Sequence, residues 1–240
     1  MKRAVILVSV LLLAGCSHKP QGAAPTKATA FGSAIVESSG GKQITPAGTL
    51  LPLPVVVQVN DEQGNGVTGA AVQFTGPGDV SFDPASGITD SSGQLTTNVT
   101  LGSGAGRYEL TATTYDKSHK KIDLKLQEVA LDYQQVLGAK LNQHYCERCH
   151  NSESTSERVS NYDNLDVKPH GFTDGDYLNK MNDDDLTAII THGGPALNKS
   201  PQMPPYGYTL SKSEVQALLA YIRAVADPPS EGHRLIYTSR

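Results

Sequence analysis

The 240-residue chain has no tryptophan and only three cysteines and three methionines. No cysteine lies between Cys16 and Cys146, so a domain built from that stretch has no disulfide and must hold by an apolar core alone. Surplus positive charge is also missing: the net charge is −4. Residues 31–128 carry ten acidic and six basic side chains and residues 129–229 carry thirteen and eight, which argues against a nucleic-acid partner for either stretch. The uncharged, largely apolar run from Ala4 to Gly15 is too short to span a bilayer comfortably. What the chain does have is length for one large or two modest domains and a hydrophobic fraction of 38%, which suits sizeable cores.

Lys2 and Arg3 ahead of that apolar run read as an export signal over residues 1–15. It ends in Leu13-Ala14-Gly15-Cys16, which resembles the lipobox of bacterial lipoproteins. The resemblance implies that Cys16 is lipidated and becomes the mature N-terminus, with several acyl chains holding the protein on a membrane. Ser17 stands where aspartate would imply inner-membrane retention, so the expectation is an exported, outer-membrane-anchored envelope protein facing periplasm or cell surface. Residues 16–30 have no apolar period and are rich in Ala, Pro, Lys and Thr, as expected of a tether. With Cys16 so assigned, Cys146 and Cys149 are left three residues apart, and in an oxidising compartment something must occupy them.

From residue 31 to 128, short apolar or alternating runs (Val55–Val59, Ala71–Phe74, Leu95–Leu101, Tyr108–Ala112, Ile122–Leu126) are separated by turn signals at Asp61–Gly66, Gly76–Gly78 and Asp90–Gly93. That pattern predicts an all-β sandwich. The order of Leu53–Asp61, a Gly-Asn-Gly turn, Val67–Phe74, Thr89–Gln94 and Gly106–Thr113 resembles bacterial Ig-like domains of the intimin and invasin type. The resemblance implies a spacer, docking or adhesion module.

From Val129 to residue 229 the period is helical. Apolar or aromatic residues recur at Leu131, Tyr133, Val136, Leu137, Leu141 and Tyr145 and lead directly into the cysteine pair. Leu186, Ile189 and Ile190 mark a second helix, opened by Asn182-Asp183-Asp184 and stopped by Gly193-Gly194-Pro195. In the last helix Ser211 and Glu214 form a capping-box pattern, Val215, Leu218, Leu219, Ile222 and Val225 make the stripe, and Asp227-Pro228-Pro229 ends it. Residues 230–240 are left as a tail.

Cys146-Glu147-Arg148-Cys149-His150, entered from a helix, places two thiols on one side with an imidazole beside them. This is the arrangement for two thioether bonds to one haem and an imidazole under its iron, so one covalently attached haem c per chain is expected; Glu147 and Arg148 need only be soluble. A structural zinc site would need four ligands, and a thioredoxin-like pair a βαβ context; neither is in sight. For the second axial position, Met203 sits in the proline-stiffened Pro201–Gly207 loop, whereas Met181 has the helical spacing of a core residue and His192 is the alternative distal ligand. His144 falls on the side away from the haem, and His18, His119 and His233 in linker, turn and tail.

The domain resembles class I c-type cytochromes over residues 131–229 or so, which makes the expected fold two domains: an all-β Ig-like sandwich followed by an all-α class I cytochrome c fold. Gly138 stands where that family has the glycine at which its first and last helices cross, and Leu218–Tyr221 at the matching contact. Cys146, Cys149 and His150 match the attachment motif, and Met203 before Pro204 the distal ligand. The segment 151–172 has no counterpart. With both axial positions filled by protein, the expectation is one-electron transfer with redox partner proteins and no catalysis. The competitors are a haem enzyme acting on peroxide or another small oxidant through a displaceable distal ligand, and an adhesion or assembly protein with an accessory cytochrome.

Overall fold

The computed structural model describes residues 28, 30–156 and 158–230, with the backbone of 236–238. Cys16, with the expected signal, lipid anchor and most of the tether, lies outside the described residues. Strands β1 (Ala34–Ser39), β2 (Ile44–Pro46), β3 (Val55–Asn60), β4 (Ala71–Thr75), β5 (Ser81–Asp83), β6 (Ser86–Ile88), β7 (Gln94–Thr100), β8 (Gly106–Tyr115) and β9 (Lys121–Leu131) come first. They form a four-stranded sheet in the order β1-β3-β7-β5 and a larger sheet in the order β2-β9-β8-β4-β6. Strict alternation puts Val55, Val57 and Val59 of β3 against Val72 and Phe74 of β4 and Leu110 and Ala112 of β8 in one core, closed without a disulfide. The expected β-sandwich is there, and β1, β2, β5 and β6 are strands that the apolar pattern did not show.

Three turns of the sandwich share one device. Asp61, Asp90 and Asp116 each accept, on one carboxylate oxygen, the N–H groups of the residues two and four positions on, at 2.8–2.9 Å. The residue three positions on is left-handed in each: Gly64 (φ +86°), Gly93 (φ +79°) and His119 (φ +60°). Gly93 also lies so close to Gly66 that a Cβ on it would come within 2.6 Å of the Gly66 Cα.

Strand β9 runs through Leu131, where the apolar spacing predicted helix. Val129 and Leu131 pair as strand with β2 while their side chains pack into the helical core. Asp132 then caps α1 (Tyr133–Leu141) with a reciprocal capping box to Gln135. The buried face of α1 is Gln135, Gly138 and Leu141, and Tyr133, expected on the apolar stripe, is 91% exposed. The reason is Gly138: a Cβ there would lie 2.1 Å from the Ala217 carbonyl oxygen and 2.6 Å from the Tyr221 Cβ, so the backbone itself is the contact surface.

A π-helical turn (Asn142–Cys146) joins α1 to α2 (Glu147–His150); α3 (Gly175–Leu178), α4 (Asp183–His192) and α5 (Lys212–Val225) follow. Asn182 caps α4, and Ser211 and Glu214 close the capping box of α5, as their sequence signals predicted. The helical part is not all-α. Asp174 and Asp227 form a parallel bridge, in which Asp227 N–H donates to Thr173 and Gly175 N–H to Asp227, and β10 (Ile236–Thr238) lies parallel to β8 in the larger sheet.

The two parts meet through Arg107 of β8. Its guanidinium is buried and donates to the carbonyls of Ala224 and Ala226 at the end of α5, a cation set on a helix C-terminus; its Nε has no partner. Nearby Glu128 of β9 is fully buried; one oxygen accepts from the Gln43 N–H and the other has no partner. Burial, with the Glu37 carboxylate adding to it, raises the Glu128 pKa to about 8.

Two outcomes follow. Gly138→Val forces α1 and α5 apart and should cost about 2–3 kcal/mol, read by thermal unfolding; an unchanged midpoint would mean the crossing is looser than this. Between the ordinary carboxyl value of 4.5 and about 8, folded Glu128 keeps a proton that the unfolded chain has lost, so stability falls as pH rises through that window. Glu128→Gln should remove most of that slope in unfolding experiments from pH 5 to 8, and a slope equal to that of the parent protein would contradict the assignment.

Candidate haem-binding site

From the Gly138 crossing the backbone continues as one helical rod through the π turn to His150, and Cys146, Cys149 and His150 all line the same cavity. π turns recur at functional sites because their extra residue re-aims the side chains that follow. Cys146 is buried and Cys149 half-buried, with no disulfide between them. Burial, then the neighbouring Glu147 carboxylate and Cys149, push the Cys146 thiol up to about 12.

The His150 imidazole is oriented from both sides. Its Nδ1 lies 2.8 Å from the His170 carbonyl, an atom that can only accept, so Nδ1 carries the proton and Nε2 keeps its lone pair for a metal. Burial lowers its pKa and favours the neutral ring. Phe172 packs beside it with ring centroids 4.9 Å apart. The His170 side chain turns the other way, stacks on Tyr177 at 3.5 Å and pairs with Asp174 at 2.7 Å.

The cavity has a volume of 270 Å³, close to the lower bound of about 300 Å³ usual for cofactor sites. Leu178, Leu186, Ile189, Ile190, Leu218 and Ile222 form its apolar wall, and Leu165, Val167, Lys168 and Pro169 come from the segment without a family counterpart. Met203 lines it, and so does half-buried Met181, which sequence spacing assigned to the core. His192 is exposed and outside the lining, and His144 is exposed as well.

Met203 is held by close backbone packing. Gly193, with φ at +81°, leaves no room for a Cβ, which would lie 2.7 Å from the Met203 carbonyl oxygen, and Gly194 N–H donates to that carbonyl at 3.0 Å. Three residues on, the Tyr206 hydroxyl donates to the Tyr145 carbonyl at 3.0 Å, tying this loop to the residue before Cys146.

Sequence reasoning missed several of these groups. Glu147, expected only to be soluble, accepts from Asn142 Nδ2 at 3.2 Å and pairs with Arg158 at 3.5 Å, which fastens the loop after the attachment motif. Arg223 of α5 is buried; it pairs with Asp183 at 2.8 Å and donates to the Leu178 and Met181 carbonyls at 2.8 and 2.6 Å, fixing the cavity wall. Pro169-His170-Gly171-Phe172 was the available signal for the orienting carbonyl: a stiff turn with two rings, twenty residues past His150.

Two thiols, an imidazole with a free Nε2, a thioether and an apolar enclosure are what a covalently held haem requires, and the residues fit that group.

Among known proteins, residues 52–126 match the family model of the bacterial Ig-like domain (group 1), and residues 134–222 that of cytochrome C oxidase, cbb3-type, subunit III. Similar solved structures include the D00-D0 domain of intimin (16% identity, covering 40% of this chain and 46% of that one, TM-score 0.31). The Yersinia pseudotuberculosis adhesin InvE is another (18% identity, 39% of this chain and 30% of that one, TM-score 0.30). The chain thus spans less than half the length of these structures. No curated protein matches it.

Proposed function

We propose that this protein is a single-haem c-type cytochrome of the cell envelope that transfers one electron at a time, its Ig-like sandwich serving as the mount for a class I cytochrome domain. The observation that carries the reading is that Cys146, Cys149 and His150 line one apolar cavity with Met203, which is far from them in sequence. Cys146 and Cys149 would hold the haem by thioethers, and His150 Nε2 and the Met203 sulfur would ligate its iron. When bound, the haem supplies reversible one-electron chemistry. The chain's own part is to enclose it: α4 and α5 exclude water with aliphatic side chains, and the His170 carbonyl keeps the proton of His150 on Nδ1.

With both axial positions taken by protein, no substrate needs to bind, and the partners are other redox proteins. The Ig-like sandwich fits a mount because Arg107 and Val129 tie it into the helical part. Anchoring through lipidated Cys16, on an outer membrane, completes the proposal.

Denatured protein should keep one haem per chain through acid–acetone extraction, and Cys146→Ser or Cys149→Ser should impair that retention; extraction of the haem from the parent protein sinks the assignment. The ferric form should show the weak far-red sulfur-to-iron band, and Met203→Ala should abolish it and lower the potential, whereas Met181→Ala should do neither. Cys16→Ala should leave the protein in the soluble fraction; a variant that stays with membranes in high salt would place the anchor elsewhere.

A further inference from the structure

Resting on the reading of Met203 as distal ligand, we infer that Gln202 is a positioning residue whose hydrogen bond to the Asp166 backbone latches the Met203 loop across the cavity and sets how readily the thioether leaves. Most ties of this loop return to its own side. Lys199 N–H donates to Gly194, Tyr206 N–H to Ile190 and Gly207 N–H to Thr191, at 2.9–3.0 Å, all at the end of α4. Two side chains of this loop reach the other way: the Tyr206 hydroxyl, three residues after Met203, donates to the Tyr145 carbonyl, and Gln202, directly before Met203, accepts on its Oε1 from the Asp166 N–H at 3.0 Å.

The segment it meets is a firm stop. Lys168 Nζ donates to the carbonyls of Tyr162, Asp163 and Leu165 at 3.1, 2.9 and 2.8 Å, so three carbonyls of one short turn are gathered on one cation. Leu165 and Val167, on either side of Asp166, line the same cavity as Met203. Swinging Met203 out therefore requires breaking the Gln202 contact or dragging that segment along. Gln202 is exposed and lines the cavity beside Met203, so the Gln202→Glu variant, which keeps its size and an acceptor, separates the hydrogen bond from the loss of lining. The Gln202 N–H on Ser200 Oγ at 3.2 Å holds the turn in shape before the latch forms.

The test is stopped-flow cyanide binding to the ferric holoprotein, with the far-red band and midpoint potential read alongside. Loss of one such hydrogen bond should make Gln202→Ala bind cyanide about fivefold faster and lower its potential while the far-red band is still present at the start. Gln202→Glu, which keeps an acceptor, should stay within about twofold of the parent, and Asp166→Pro, which deletes the donor N–H, should behave like Gln202→Ala. If Met203→Ala binds cyanide rapidly but Gln202→Ala and Asp166→Pro bind at the parental rate, the latch is wrong and the ligand reading stands. If Met203→Ala changes neither the band nor the rate, both fall.

Discussion

The backbone contact between α1 and α5 at Gly138 is the constraint on which the rest of the helical part depends. Because no side chain separates the helices, the Ala217 carbonyl and the Tyr221 Cβ sit directly on α1. Two consequences run in opposite directions along the rod. Toward its C-terminal end, the π turn and α2 are carried to a set place beside Leu218 and Ile222, so the two thiols and the imidazole face an apolar wall. On the partner helix, the end of α5 is brought to the sandwich, where Arg107 receives its last carbonyls.

The sequence was most readable where a signal is local. The Cys-x-x-Cys-His string is five consecutive residues and the capping box of α5 needs four, whereas Gly138 was legible only through the family resemblance, which puts a glycine where the first and last helices cross. What stayed hidden is what depends on distant partners. Strands β2, β5 and β6 are three residues each, too short for a period, and exist because neighbours pair with them. The burial of Gln135 rather than Tyr133 is set by the helix crossing, not by hydrophobicity. His170 acts through its carbonyl, which no side-chain pattern reveals, and Glu147 and Arg158 meet only because the loop after the motif folds back.

Polar groups inside this protein divide by whether their partners are complete. Arg223 joins a carboxylate and two carbonyls and holds the wall of the cavity in place. Arg107, Glu128 and Asn142, by contrast, each keep one unpartnered side-chain atom. Unmet hydrogen-bonding capacity in a buried place is costly.

Strand β9 gives Val129 and Leu131 to the core of the following helices while its own backbone stays in the sheet. The two family resemblances therefore do not correspond to interchangeable cassettes. The helical part excised at Tyr133 would leave some of its hydrophobic interior behind, and a foreign sandwich grafted in front of it would have to end in a strand that offers an aliphatic side chain at both alternate positions. Edge strand β2 is bound by the same demand, since Ile44 packs against the helical core beside Val129 and Leu131.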